Sequence, residues 1–206
     1  MDKTLYLWDL EGTLFLQSWN KDTTGFDSFE DYAKANGLKI NSGKDFEEAY
    51  VNIYENGDMV NLRLADGFEE VLNFTKNNET FSSGMQAQML ARVKYFKKKL
   101  GADILKYFRK LNSTFDYSDS NIKTKEMLID YLKSKYDEGF KTVVYTDDKV
   151  VNCVFFEQSA VYAKSLFGDF NFRIYHLKND NSGLSQNSWY YEIGKLSDLL
   201  DNEKNL

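Results

Sequence analysis

The stretch "LYLWDLEGTLF", residues 5–15, runs four apolar residues straight into an acid, Asp9, and places a second acid, Glu11, two positions later beside a Gly-Thr turn. An unbroken apolar run of this length reads as a strand buried on both faces of a sheet. Ending such a strand on two carboxylates sets charge where the interior disfavours it, so the pair asks for a chemical reason.

Outward from this run the same pattern recurs. Short apolar stretches at 4–9, 79–82, 141–146 and 172–176 alternate with longer segments of helical period, and the first three stop at residues able to do chemistry. That alternation predicts an α/β fold, a Rossmann-like three-layer sandwich with a mainly parallel sheet. The helices fall at 66–77, 85–98, 103–111, 124–136 and 150–166, and the C-terminal "YYEIGKLSDLL" reads as a last helix or turn on the sheet. One segment breaks the alternation: 16–64, rich in Asp, Asn, Gly and Ser, with short helical candidates at 27–36 and 43–55. Roughly 50 residues bury only a thin core of their own. The expected division is therefore an α/β core of 1–15 and 65–206 and a small helical cap insertion, 16–64, after strand 1.

Composition narrows the function. With 32 acidic against 26 basic residues the formal net charge is −6, so no overall positive field recruits nucleic acid or an anionic membrane. The basic runs "KYFKKKL" (94–100) and "KYFRK" (106–110) carry apolar residues at helical spacing and read as solvated faces of amphipathic helices. One cysteine, Cys153, and one histidine, His176, leave neither a disulfide framework nor a Cys/His zinc site, and both read as core or sheet-edge residues. No apolar run approaches the roughly 18 residues of a membrane span, and Asp9 interrupts the N-terminal run before it resembles a signal peptide. A cytoplasmic protein without nucleic-acid or membrane partners is expected; oligomeric state is not legible.

In open α/β sheets ligands bind beyond the carboxyl ends of the strands. The residues there are Asp9 and Glu11, then Ser82 and Ser83, then Lys123 or Lys125, then Asp147 and Asp148. On an extended segment, side chains two apart point the same way, so Asp9 and Glu11 converge on one centre as nucleophile and general acid/base. Ser82 or Ser83, ahead of a helix, offers a hydroxyl and free N–H groups to a phosphate. Lys123 stands just before a helix, where a cation is unfavourable unless a negative partner is near. Asp148 can cap the helix that follows while Asp147 points inward. Carboxylates crowded beside Asp9 call for a hard cation such as Mg²⁺.

The ordered set Asp-x-Glu-Gly-Thr, Ser, Lys, Thr-Asp-Asp, with "DDKVVN" at 147–152, resembles the haloacid dehalogenase-like superfamily of phosphohydrolases over residues 4–177. The resemblance implies that Asp9 attacks phosphorus to form an aspartyl-phosphate and that Glu11 protonates the leaving oxygen and later activates water. It further implies that Ser82, or Ser83, and Lys123 bind the phosphoryl group of a small phosphorylated substrate. Mg²⁺ would be held by Asp9, Asp147, Asp148 and the backbone carbonyl of Glu11. Where the family usually has Asp, this chain has the longer Glu11, as do members resembling enolase-phosphatase. The expected activity is phosphomonoester hydrolysis. A phosphotransferase or mutase on the same chemistry and a non-catalytic binding protein are the alternatives.

Overall fold

In the computed structural model, which describes residues 3–38, 45, 49, 51–54, 59–84, 86–119 and 121–205, the opening apolar run forms strand β1 (Lys3–Trp8). Its side chains divide between two hydrophobic cores: Leu5 and Leu7 enter one, Tyr6 and Trp8 the other. Burial on both faces is why the run carries no polar alternation.

β1 sits inside a seven-stranded sheet of order β5-β4-β1-β6-β7-β9-β8, parallel except for β8. Its neighbours are β4 (Asn78–Thr80) and β6 (Phe140–Asp147), followed outward by β5 (Phe108–Lys110) on one side and β7 (Asn171–Leu177), β9 (Tyr191–Ile193) and β8 (Ser185–Gln186) on the other. Helices α5 (Lys125–Asp137) and α6 (Val150–Phe167) cover one face with Leu128, Tyr131, Cys153 and Phe156. Helices α3 (Phe68–Thr75), α4 (Gln86–Leu100) and α7 (Leu196–Glu203) cover the other with Phe68, Phe96 and Leu199. These three layers are the Rossmann-like architecture that the alternating pattern predicts. Among the described residues no helix is long and apolar enough to cross a membrane.

The segment after β1 starts and finishes on an antiparallel ribbon, β2 (Phe15–Trp19) with β3 (Val60–Leu64). Between them lie α1 (Lys21–Thr24), α2 (Phe29–Ala35) and, within the 43–55 candidate, helical residues 45, 49 and 51–54; its other positions lie outside the described residues. The ribbon escapes a sequence reading because each strand is five residues long and set among Asn, Asp and Gly. Yet Val60 and Leu62 alternate with exposed Asn61 and Arg63 as a half-buried strand should.

The helix expected over 103–111 does not form. Gly101, at φ 66°, ends the preceding helix, and the chain makes one 3₁₀ turn, Ile104–Tyr107, before pairing as the sheet edge β5. That turn buries Ile104 and Tyr107, spaced i and i+3, so the apolar spacing resembles a longer helix than the connection can hold. The C-terminal motif likewise divides into β9 and α7.

Asn78 joins the layers from a fully buried position. Its amide donates to the carbonyls of Leu72 and Tyr107, and its Oδ1 accepts from Trp8 Nε1 at 2.9 Å and from the Thr75 hydroxyl. Asn78→Ala removes those four bonds, leaves Trp8 Nε1 without this buried acceptor, and should cost roughly 2–4 kcal/mol of stability, read from the urea midpoint. A loss below about 0.5 kcal/mol would show that this polar cluster contributes little.

Candidate active site

Where β1 stops, the chain is held on both sides. Asp9 N donates to the Thr146 carbonyl of β6, and Phe81 N, just past β4, donates to the Trp8 carbonyl, each at 2.9 Å. Asp9 is therefore delivered at the carboxyl edge of the sheet, 5% exposed, pointing to the same face as Leu5 and Leu7.

Lys123 meets it there. The loop ahead of α5 carries this side chain into the interior, where its ammonium, 1% exposed, donates to Asp9 Oδ1 at 2.6 Å, Asp147 Oδ2 at 2.5 Å and the Tyr145 hydroxyl at 3.2 Å. Lys125 begins α5 instead, and its carbonyl accepts from the Ser159 hydroxyl. The negative partners that a lysine before a helix requires are thus Asp9 and Asp147.

Of the two adjacent acids, Asp147 points inward as expected and also takes the capping part expected of Asp148. Asp147, at the end of β6, serves the start of α6: its Oδ1 accepts from Lys149 N at 2.8 Å and from Asn152 Nδ2 at 3.1 Å. Its Oδ2 accepts from Lys123, from Asn152 and from Tyr145, the residue two back on the same face of the strand. Asp148 caps nothing; the α6 N-cap is Lys149, without a side-chain cap bond. The Asp148 side chain turns toward Gly12 and leaves Oδ1 buried with no hydrogen-bond partner. His176 Nε2 donates to its backbone carbonyl at 3.1 Å, a bracing contact from β7. Tyr145 and Asp147 share one face of β6, and Asp148 follows just past the strand end.

Oxygens of Asp9, Asp147 and Asp148 lie within 4.8 Å of one another. Three carboxylates, Asp9 and Asp147 buried and Asp148 half-buried, stand close around one ammonium, every donor is a hard oxygen, and one is unpartnered, so the set fits a divalent cation. Burial pushes the Asp9 carboxyl up to about 7, reinforced by Asp147 and Asp148 and opposed by Lys123. Asp148 is raised by burial and by Asp147. Burial works to lower the Lys123 ammonium, but Asp147 and Asp9 outweigh it and hold the charge firmly.

No protein-family model matches the chain, and no curated protein matches it. Solved structures do. The 2-haloacid dehalogenase from Pseudomonas syringae pv. Tomato DC3000 superposes over 100% of this chain and 99% of its own, with TM-score 0.54 and 11% identity. The chain has the haloacid dehalogenase-like fold. Looser matches are the HAD domain of the effector protein Lem4 from Legionella pneumophila (TM-score 0.45, 11% identity, 84% and 85% coverage) and a HAD family enzyme from Bacteroides thetaiotaomicron. The latter is an aspartate-to-alanine mutant in complex with magnesium and inorganic phosphate (TM-score 0.46, 13% identity, 91% and 98% coverage).

Within this haloacid dehalogenase-like fold the phosphate-binding candidates follow the strand β4 that pairs with β1, just past Phe81, whose N–H donates to the Trp8 carbonyl. Ser82 follows β4, is buried, and its hydroxyl accepts from Gly84 N at 3.4 Å; Ser83 is half-buried next to it. Glu11 departs from expectation. The strand ends at Trp8 and the chain turns, so the two-residue period that would aim Glu11 with Asp9 no longer applies. Its carboxylate, about half exposed, accepts from Arg92 Nη2 and Gln17 Nε2, both at 2.7 Å, and is not in the three-acid cluster. Arg92, Gln17, Tyr54 and Tyr145 were not singled out by sequence, because each sits in an ordinary helix or strand pattern.

Gly12 is required twice over. Its φ is +83°, and a Cβ built there would lie 2.3 Å from Asp148 Oδ2. Gly12→Ala should displace Asp148 and weaken divalent-cation binding on the order of tenfold or more by calorimetry; unchanged affinity would exclude Asp148 as a ligand. The raised carboxyl pKa values set a pH dependence as well. A carboxyl that holds its proton more tightly when folded contributes full stability below the ordinary carboxylate range and loses it as pH climbs through about 7. A bound cation reverses that loss by favouring the ionised form. The rise in Tm on adding saturating Mg²⁺ should therefore be small near about pH 5 and larger near about pH 8. An equal rise at both would contradict the assignment.

Proposed function

We propose that the protein is a Mg²⁺-dependent phosphomonoester hydrolase acting through an aspartyl-phosphate on Asp9. The observation that carries this reading is the buried Asp9 carboxylate at a rigid strand end, bound to Lys123 and grouped with Asp147 and Asp148. Displacement at phosphorus needs a fixed nucleophile and charge neutralisation, with little other covalent chemistry from the protein.

Lys123 holds Asp9 Oδ1, so Oδ2 is the attacking atom. As the Oδ2–P bond forms, the P–O ester bond breaks and the leaving oxygen takes a proton from Glu11. Water then attacks phosphorus and gives its proton to Glu11; the Asp9–phosphorus bond breaks, releasing inorganic phosphate and restoring the carboxylate. Ser82, with Ser83 beside it, binds phosphoryl oxygens, and Lys123 offsets charge on Asp9 and on the phosphoryl group. Asp9, Asp147, Asp148 and the Glu11 carbonyl would hold Mg²⁺, which would supply Lewis-acid stabilisation of the transferring oxygens. Glu11 reaches the proton-transfer position by side-chain rotation away from Arg92, which its half-exposed place at the site mouth permits.

Phosphate release from an aryl phosphate should require Mg²⁺ and fall at least about a thousandfold in Asp9→Asn while the fold persists by circular dichroism. Retained turnover in that variant would refute the nucleophile. Parallel assays for transfer to an added sugar phosphate, and for chloride release from 2-chloropropionate, separate hydrolysis from phosphotransfer and from the chemistry named for the Pseudomonas protein.

A further inference from the structure

Arg92 is the anomaly outside the acid cluster. It lies in the middle of α4, is 1% exposed, and closes a ring of hydrogen bonds with three other side chains. Its Nε donates to the Tyr54 hydroxyl at 2.9 Å, that hydroxyl donates to Gln17 Oε1 at 2.6 Å, Gln17 Nε2 donates to Glu11 Oε1, and Arg92 Nη2 donates to Glu11 Oε2. The ring consumes two of the three guanidinium nitrogens. Nη1 is buried and has no hydrogen-bond partner.

A buried charged donor left unpaired calls for an acceptor, because water cannot replace the missing bond. The surroundings of Nη1 indicate which one. A Cβ built on Gly84 would lie 3.6 Å from Arg92 Nη1, 3.8 Å from Ser82 Oγ and 3.3 Å from Gln88 Oε1. Glycine therefore keeps a methyl, which would already sit tight against Gln88 Oε1, out of the narrow polar hollow between the arginine and the serine, just ahead of α4. Nη1 and Oγ both border one point, so they are less than about 7.4 Å apart, a gap that one phosphoryl group spans with a hydrogen bond at each end. The guanidinium's planar fork suits such an oxyanion better than a point charge does.

We infer that Arg92 is a second cation of the phosphoryl seat, donating from Nη1 to an oxygen of the group that Ser82 binds. The inference rests on the phosphoryl-transfer reading for its substrate. The contact adds specificity for a dianionic phosphoryl group over a neutral one and couples the seat to Glu11. A phosphoryl oxygen on Nη1 competes with Glu11 for the same guanidinium charge, which loosens the Glu11 carboxylate when substrate is in place.

The probe is inorganic phosphate with Mg²⁺, its Kd measured by calorimetry and its inhibition constant against an aryl phosphate. Arg92→Lys keeps the charge and loses the fork; Gly84→Ala places a methyl in the hollow at a backbone conformation alanine can adopt. Each should weaken phosphate roughly tenfold, the order expected for one charge-assisted hydrogen bond, with KM rising more than kcat falls. Tyr54→Phe breaks the ring without entering the hollow and should leave phosphate affinity unchanged. Were Arg92 only structural, Arg92→Lys and Tyr54→Phe would lower Tm while the phosphate Kd stayed put, and that result overturns the inference. If Arg92→Lys fails to fold, Gly84→Ala decides alone. Phosphate bound by the parent and lost in both variants, with no ester hydrolysed, would sink the hydrolase reading and keep this one; phosphate not bound by the parent sinks this one.

Discussion

The Lys123 ammonium, enclosed between Asp9 and Asp147, is the interaction on which the site depends. It brings the loop before α5 under the carboxyl edge of the sheet, ties β1 to β6 through side chains as well as backbone, and is the cation that lets two acids be buried side by side. Removing one member of such a pair leaves an uncompensated charge inside the protein, which is far costlier than never having buried it. One lysine cannot neutralise three carboxylates, however, and the surplus is visible in the raised Asp9 and Asp148 and in the unpartnered Asp148 oxygen. That surplus is the physical case for a divalent cation.

Around this centre the fold separates stiffness from exchange. Asp9 and Asp147 are held by strands buried on both faces, and the Asp147 carboxylate is fixed by donors from Lys149, Asn152, Tyr145 and Lys123. Glu11 instead stands past the end of the strand, half exposed, on partners contributed by α4 and by β2. That division suits the proposed mechanism, in which a nucleophile gains from rigid placement and a proton carrier has to move between leaving group and water.

Much of this was legible in the chain itself. β1, β6 and β7 announce themselves as apolar runs because strands covered on both faces need no polar alternation, and α3, α5 and α6 show their buried stripes. Asp9, Ser82, Lys123, Asp147 and Asp148 stand out because each follows such a run or precedes a helix, where polar residues have a local reason to be. The 103–111 segment misled because a 3₁₀ turn and a helix share i and i+3 spacing, and the β2–β3 ribbon was hidden because five-residue strands leave too short a pattern.

The sequence by itself determined the layered α/β architecture and the order of chemical groups along the strand ends, since both follow from periods of two and 3.6 and from where charge interrupts an apolar run. Only the tertiary structure decided which groups meet. That Asp147 caps while Asp148 faces Gly12, that Lys123 rather than Lys125 enters the site, and that Glu11 joins a ring with Gln17, Tyr54 and Arg92 all depend on contacts between residues far apart in the chain. Local pattern carries no information about such pairings, because they are set by sheet register and by the direction in which each strand end turns.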